Sequence, residues 1–85
     1  MPAQEDFRIR PSYRSGFSDG YLVGKTDALE GRARDGMKAI RLGKIHAQDH
    51  DDAADQKAYA SGYHEGYNEG WHARKRYEDN IRGGG

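Results

Sequence analysis

Glycine recurs at every fourth position in two separate stretches of the chain, at Gly16, Gly20 and Gly24 and again at Gly62, Gly66 and Gly70. Aromatic residues follow most of them: Phe17 and Tyr21 in the first stretch, Tyr63, Tyr67 and Trp71 in the second. Tyr13 and Tyr59 open the two runs. A spacing of four is the row spacing of an α-helix surface, so glycines in that phase cut a groove along one helix face. Glycine is also a poor helix former, costing roughly 0.5–1 kcal/mol per residue relative to alanine. Six of them forfeit roughly 3–6 kcal/mol, comparable with the whole stability of a small domain. A helix that keeps them needs something to fill the groove.

The two stretches are copies of one pattern. At an offset of 46 residues, Tyr13, Ser15, Gly16, Gly20, Tyr21 and Gly24 fall on Tyr59, Ser61, Gly62, Gly66, Tyr67 and Gly70, with Phe17/Tyr63 and Asp19/Glu65 as conservative pairs. Two copies are too few for a solenoid, which needs about three repeats for a continuous core. They suit a pairing of two equivalent helices.

The remaining composition says how much else can hold the chain together. Only 34% of the 85 residues are hydrophobic, and the large aliphatic set is thin: Ile9, Leu22, Val23, Leu29, Met37, Ile40, Leu42, Ile45 and Ile81. A chain this short and polar usually needs a staple or a partner. There is no cysteine, which excludes disulfides and thiolate metal sites. GxxxG is familiar from membrane helices, but the longest run of large apolar residues is Tyr21-Leu22-Val23, against the roughly 20 residues a span requires. The first six residues carry neither a basic stretch nor an apolar one, so no secretory leader is expected. The expectation is a cytoplasmic protein with no membrane partner. Formal charge is zero, but residues 1–46 hold nine Lys/Arg against six Asp/Glu and residues 47–85 hold five against eight. That asymmetry fits two halves that attract each other, or two copies head to tail.

The pattern along the chain predicts an all-α fold. Residues 1–11 read as an extended arm, 12–82 as a helical domain and 83–85 as a flexible glycine tail. Ser12 is a plausible cap for a helix reaching Ala28 or beyond. From Leu29 the apolar and small residues Leu29, Ala33, Gly36, Ile40, Gly43 and Ala47 step by fours and threes, a narrow seam. Gly31 and Gly36 instead allow a break near residues 31–36. The acidic cluster Gln48-Asp-His-Asp-Asp52 reads as a turn, with Asp51 or Asp52 capping a helix that runs from about Ala53 to Ile81. Asp55 lies in its first turn, where the helix dipole favours a carboxylate. Gly83 is a natural stop. The simplest architecture is a long antiparallel helical hairpin. A turn near residue 43 sets Gly16, Gly20 and Gly24 against Gly70, Gly66 and Gly62. A turn at 48–50 leaves each glycine groove needing a partner from another chain, and the thin core favours such a homo-oligomer.

The glycine and aromatic positions are therefore the expected interaction surface: Gly16, Phe17, Gly20, Tyr21 and Gly24 on one helix, and Tyr59, Gly62, Tyr63, Gly66, Tyr67, Gly70 and Trp71 on the other. The expected partners are a second copy of the chain, a helix of a larger protein, or both. Glycine every fourth residue with a following aromatic resembles the glycine-repeat segment of the flagellar and type III export ATPase regulator, a helical dimer. It is also similar to the glycine-every-fourth-residue adaptor family that supports iron–sulfur protein maturation. The match covers residues 13–28 and 58–74, and it implies a helical protein-interaction module with no catalytic role.

Other chemistry is sparse. His46 and His50 are four apart and sit among Asp49, Asp51, Asp52 and Asp55, a spacing that can chelate a divalent ion. The default for this cluster is a solvated acidic cap, and no metal or other cofactor is expected. Glu65, Glu69 and His72 share a helix face, with His64 nearby, and read as a solvent face. Arg32, Arg34, Lys38, Arg41 and Lys44 form a basic stripe that could track phosphates, so a nucleic-acid-associated role is the alternative function. No catalytic residue is expected: the chain has no nucleophile elbow and no phosphate loop.

Overall fold

The computed structural model describes residues 7–83, and all the regular structure there is helical. After a 3-10 turn at Phe7–Ile9 come three helices: α1 over Pro11–Leu29, α2 over Gly36–Ala47 and α3 over Ala53–Gly83. Residues 1–6 of the expected arm and 84–85 of the expected tail lie outside the described residues. Within the rest of that arm the chain is turned rather than extended, and Gly83 closes α3 rather than standing beyond it.

Local signals explain the boundaries. Pro11 occupies the first turn of α1, where its missing N–H costs nothing. The residue flanking the start is Arg10, and no side chain caps it; Ser12 instead donates its hydroxyl to Asp55 Oδ1 at 3.1 Å. α1 ends because Gly31 takes φ +77. Gly31 N–H then bonds to Ala28 O (3.1 Å) and Arg32 N–H to Asp27 O (2.8 Å), the paired closure that a left-handed glycine permits. Asp35 Oδ1 accepts the Lys38 N–H at 3.0 Å and starts α2. Asp52 Oδ1 accepts the Ala54 N–H at 2.8 Å at the start of α3.

The pairing of helices corrects the expected hairpin. Gly16, Gly20 and Gly24 face the backbone of Tyr59, Tyr63 and Tyr67, while Gly62, Gly66 and Gly70 face that of Tyr13, Phe17 and Tyr21. The partners ascend together, so α1 and α3 are parallel. The expected opposition of Gly16 with Gly70 does not occur. The chain turns twice, at residues 30–35 and 48–52, and α2 is a separate return leg running antiparallel to α3. The reason is the direct repeat: two copies reading in one direction match at equal height only when their helices are parallel. The turn expected near residue 43 is absent, since Gly43 lies inside α2, whereas the turn expected at 48–50 is present; with α2 ahead of it, the two glycine sets nonetheless meet within one chain.

The contacts also define a pseudo-two-fold axis along the helix pair. Each contact of an α1 glycine with an α3 carbonyl has a twin 46 residues on, in which the roles of the helices exchange. Gly16 with Tyr59 matches Gly62 with Tyr13, and the next two pairs follow suit.

Because the backbones are so close, the interior is built of tyrosine and alanine. Tyr13, Tyr59, Tyr63 and Tyr67 are buried with Ala28, Ala39, Ala47 and Ala58, whereas Ile9, Leu22, Leu29, Met37, Ile45 and Ile81 are more than half or half exposed. α2 rests on α3 through Ala39, Gly43 and Ala47, another row of small residues at intervals of four. The mixed seam expected for this segment is thus replaced: Leu29 and Ile40 point to solvent, and a flat tyrosine face selects the small row instead.

A β-carbon at Gly16, Gly20, Gly24, Gly62, Gly66 or Gly70 would overlap a carbonyl oxygen of the opposite helix. Gly66→Ala is therefore expected to force α1 and α3 apart and lower stability by about 3 kcal/mol or more, the range of an overpacked core. At Gly31 nothing lies within 4 Å, so Gly31→Ala meets only the left-handed backbone penalty of about 1 kcal/mol. Urea denaturation of the two variants beside wild type measures both; equal losses would contradict the backbone contact.

Candidate functional site

Bringing two helix axes this close turns the residues after each glycine into walls. On α1 the wall is Tyr13, Phe17 and Tyr21; on α3 it is Tyr59, Tyr63 and Tyr67. The two ladders are built alike: ring centroids are 6.3 Å apart for Tyr13–Phe17 and 6.1 Å for Tyr59–Tyr63, with interplanar angles of 34° and 36°. The pseudo-two-fold axis thus yields two equivalent aromatic grooves, one on each side of the pair.

Their occupancy differs. α2 lies over the α3 ladder, with the His46 ring against Tyr63 at 6.0 Å and the His50 ring against Tyr59 at 5.1 Å. Tyr63 and Tyr67 are the largest fully buried side chains described. Among the described residues the α1 ladder has no helix over it. It borders a groove of about 510 Å³ lined by Arg8, Tyr13, Arg14, Phe17, Ser18 and Tyr21. A smaller hollow of about 290 Å³ continues from it past Tyr21, Lys25, Ala73, Arg74 and Tyr77.

Tyrosine hydroxyls tie each ladder to a carboxylate on the other helix. Tyr59 donates to Asp19 Oδ2 at 2.5 Å, and its pseudo-equivalent Tyr13 donates to Glu65, the pseudo-equivalent of Asp19. Tyr67 donates to Asp27 Oδ2 at 2.7 Å and accepts from the Asp35 N–H at 3.0 Å. Burial, followed by the neighbouring Asp19 carboxylate, pushes the Tyr59 hydroxyl well above the ordinary tyrosine range; burial likewise raises Tyr63 and Tyr67. All three stay protonated, and Tyr59 and Tyr67 serve as donors.

Asp27 joins all three helices. Its carboxylate is 5% exposed and receives the Lys38 ammonium (2.9 Å) together with the Tyr67 hydroxyl. Burial pushes its pKa up, but the bonds from Lys38 and Tyr67 and the charges of Lys38 and Arg32 outweigh it, leaving the carboxyl below the usual value. Asp55 is likewise lowered, chiefly by its bonds from Arg10 (2.8 Å) and Ser12.

The expected interaction residues therefore divide. The six glycines and Tyr59, Tyr63 and Tyr67 are consumed inside the chain, the within-chain pairing that the sequence leaves open beside pairing between chains. Trp71 is half-buried and donates its indole N–H to Arg32 O at 2.9 Å. Phe17 and Tyr21 alone of the set face the open groove, half-buried. In the basic stripe, Lys38 is held by Asp27 and Arg32 by Glu30 at 3.1 Å, while Arg34, Arg41 and Lys44 are exposed. Among the described residues no group of three or more His, Cys, Asp or Glu gathers as for a metal. Glu65 is engaged by Tyr13, and His72 lies edge-on to Trp71.

Sequence reading did not single out Arg8, Arg14, Ser18 or Asp27. Arg14, Ser18 and Leu22 were findable, since they form an i, i+4 row beside the glycine row. Asp27 carried no local signal. No helix is long and apolar enough to cross a membrane among the described residues. The chain matches no protein-family model, no curated protein and no solved structure.

Depressed carboxyl pKa values mean stability present above the unfolded value of about 3.9 and lost as pH falls through the lower folded value. Stability is expected to be level from pH 6 to 8 and to decline below about pH 4. Asp27→Asn should cost about 2 kcal/mol at pH 7, because the Lys38 ammonium and the Tyr67 hydroxyl lose a charged acceptor. The cost should shrink as pH drops towards 2. Urea midpoints across pH for wild type and variant test this, and a pH-independent difference would remove Asp27 from the linkage.

Proposed function

We propose that this chain is a non-enzymatic interaction module that docks a helix on the aromatic groove of α1. One observation carries the reading. Two equivalent aromatic grooves flank the α1/α3 pair, and a helix fills one of them while the other stands open beside Phe17 and Tyr21. Groove burial of an apolar helix face is a recurrent mode of recognition. The residues with shifted ionisation support a structural role: Asp27, Asp55, Tyr59 and Tyr67 are bonded to one another's helices and are not among the residues lining the open groove. The occupant comes from a larger protein or from a second copy, as the resemblance to glycine-repeat interaction segments implied, although here the glycines serve packing within the chain. A cytoplasmic setting belongs to the same proposal and is supported by the absence of cysteine.

The phosphate-binding alternative ranks below this reading. Two of the five cations, Arg32 and Lys38, are paired with carboxylates, which leaves Arg34, Arg41 and Lys44 for a phosphate track.

Selection from a displayed library of helical peptides tests the proposal, with wild type and Phe17→Glu as parallel baits. Phe17→Glu is expected to keep the helical fold, with stability within about 1 kcal/mol of wild type, because the side chain is only half-buried. Peptides should enrich on wild type and not on the variant. Equal enrichment on both, or none on wild type with a monomeric sedimentation profile, would refute it.

A further inference from the structure

The filled groove describes the occupant of its open twin. On the filled side, α2 runs antiparallel to α3, lays the small row Ala39, Gly43 and Ala47 on the tyrosine ladder, and sets Gly43 beside the Tyr63 ring and the Ala60 carbonyl. Asp35 N–H, at the start of α2, meets the Tyr67 hydroxyl at 3.0 Å. Applied to the open side, the pseudo-two-fold axis places a helix antiparallel to α1, with small residues at every fourth position over Tyr13, Phe17 and Tyr21. Its first turn would lie by Tyr21, whose hydroxyl has no protein hydrogen-bond partner among the described residues. Its C-terminal end would lie towards Arg8 and Arg14.

The symmetry breaks in charge, and the break sets the chemistry of the occupant. At the position of Ala60 on the filled side the open side has Arg14, and Arg8 joins it on the same rim. Glu69 takes the place of Val23 on the opposite rim, and Ala73 that of Asp27. α2 itself carries Lys38, Arg41 and Lys44 and no acid, so a copy of α2 is the wrong sign for the rim at Arg14. Antiparallel pairing of two open grooves also sets like charges together, Arg14 against its own copy or against Lys25 at the other end of the groove. A helix with acidic residues on the flank facing Arg14 suits the rim, and its carbonyl end adds the negative pole of its dipole there.

Resting on the helix-docking reading, we infer that the open groove takes an acidic helix of a different protein. That helix carries small residues at every fourth position and runs antiparallel to α1 over Tyr13, Phe17 and Tyr21.

Two synthetic peptides test this against the full isotope-labelled chain. One has the sequence of residues 35–48, in which Ile40 and Lys44 flank the row on the side of Ala60 and His64. The other carries Ile40→Glu and Lys44→Glu. The acidic peptide is expected to bind at least tenfold more tightly and to shift the amide signals of residues 13–22, not those of 36–47. Arg14→Glu should reverse the preference between the peptides; Arg14 is exposed, so the fold is retained. A third peptide, with Gly43→Leu added to the acidic pair, should lose at least tenfold. Equal binding of the first two peptides, an unchanged preference in Arg14→Glu, or shifts confined to α2 would each overturn the inference. If library selection yields groove-binding helices without an acidic flank or a small row, the inference fails while the docking reading stands. If the library and all three peptides fail to engage the groove, both fall together. Self-association abolished by Phe17→Glu would make the occupant a second copy and overturn the inference alone.

Discussion

The approach of two helix backbones to van der Waals contact governs everything else in this molecule. At six places a glycine Cα–H points at a carbonyl oxygen of the facing helix, three in each direction. Contacts of this kind contribute about 0.5–1 kcal/mol each, so together they offset roughly the 3–6 kcal/mol that six glycines cost a helix. Close approach then decides what the core can be. Between axes this near there is no room for leucine or isoleucine, and those residues are left on the outside. The aromatic rings that follow the glycines are pushed to the flanks, where they become the two ladders.

The direction of the helix pair follows from the same constraint. A groove of glycines will accept a partner of either sense, and the antiparallel sense expected from the simplest hairpin is not the one adopted. The clue was the direct repeat with its offset of 46 residues, which sets equal residues at equal heights only in a parallel pair. Parallel neighbours need a return leg. Ala39, Gly43 and Ala47 supplied a helix for it, with a stripe of small residues easily merged into a mixed seam when Leu29 and Ile40 were read as core. Phasing of the glycines, the break at Gly31 and the cap at Asp52 were legible because each depends on its own few residues. Asp27 was not, because its role depends on a lysine from α2 and a tyrosine from α3 that only the fold brings to it.

The departures from symmetry explain why α2 chose its side. Over the α3 ladder it finds Ala60 and Val23 as apolar flanks and Asp27 as an acceptor for Lys38. Over the α1 ladder the corresponding positions are Arg14, Glu69 and Ala73, so the same helix would bury against charge and leave its lysine without an acid. An internal repeat that had stayed identical would have offered α2 two equal seats. Divergence at three positions makes one seat intramolecular and leaves the other chemically distinct.

Glycine rows alone do not fix the register, because a row that repeats every four residues fits its partner again after a slip of one turn. The tyrosine hydroxyls remove that ambiguity. In the native register Tyr13, Tyr59 and Tyr67 reach Glu65, Asp19 and Asp27 across the pair. A one-turn slip in one direction presents Glu69 to Tyr13 but Ser15 to Tyr59 and Val23 to Tyr67. A slip in the other direction presents Ser61, Val23 and Gly31, and all three carboxylates are lost. Hydrogen bonds to a charged acceptor contribute about 1.5–3 kcal/mol each, so losing two or three outweighs any gain from sliding the rows. At Tyr13, Tyr59 and Tyr67 the hydroxyl reads the height of the opposite helix, which a phenylalanine there could not do. Phe17 is the one ladder position between Tyr13 and Tyr21 with no hydroxyl to place, and it lies at the centre of the groove that no helix covers among the described residues.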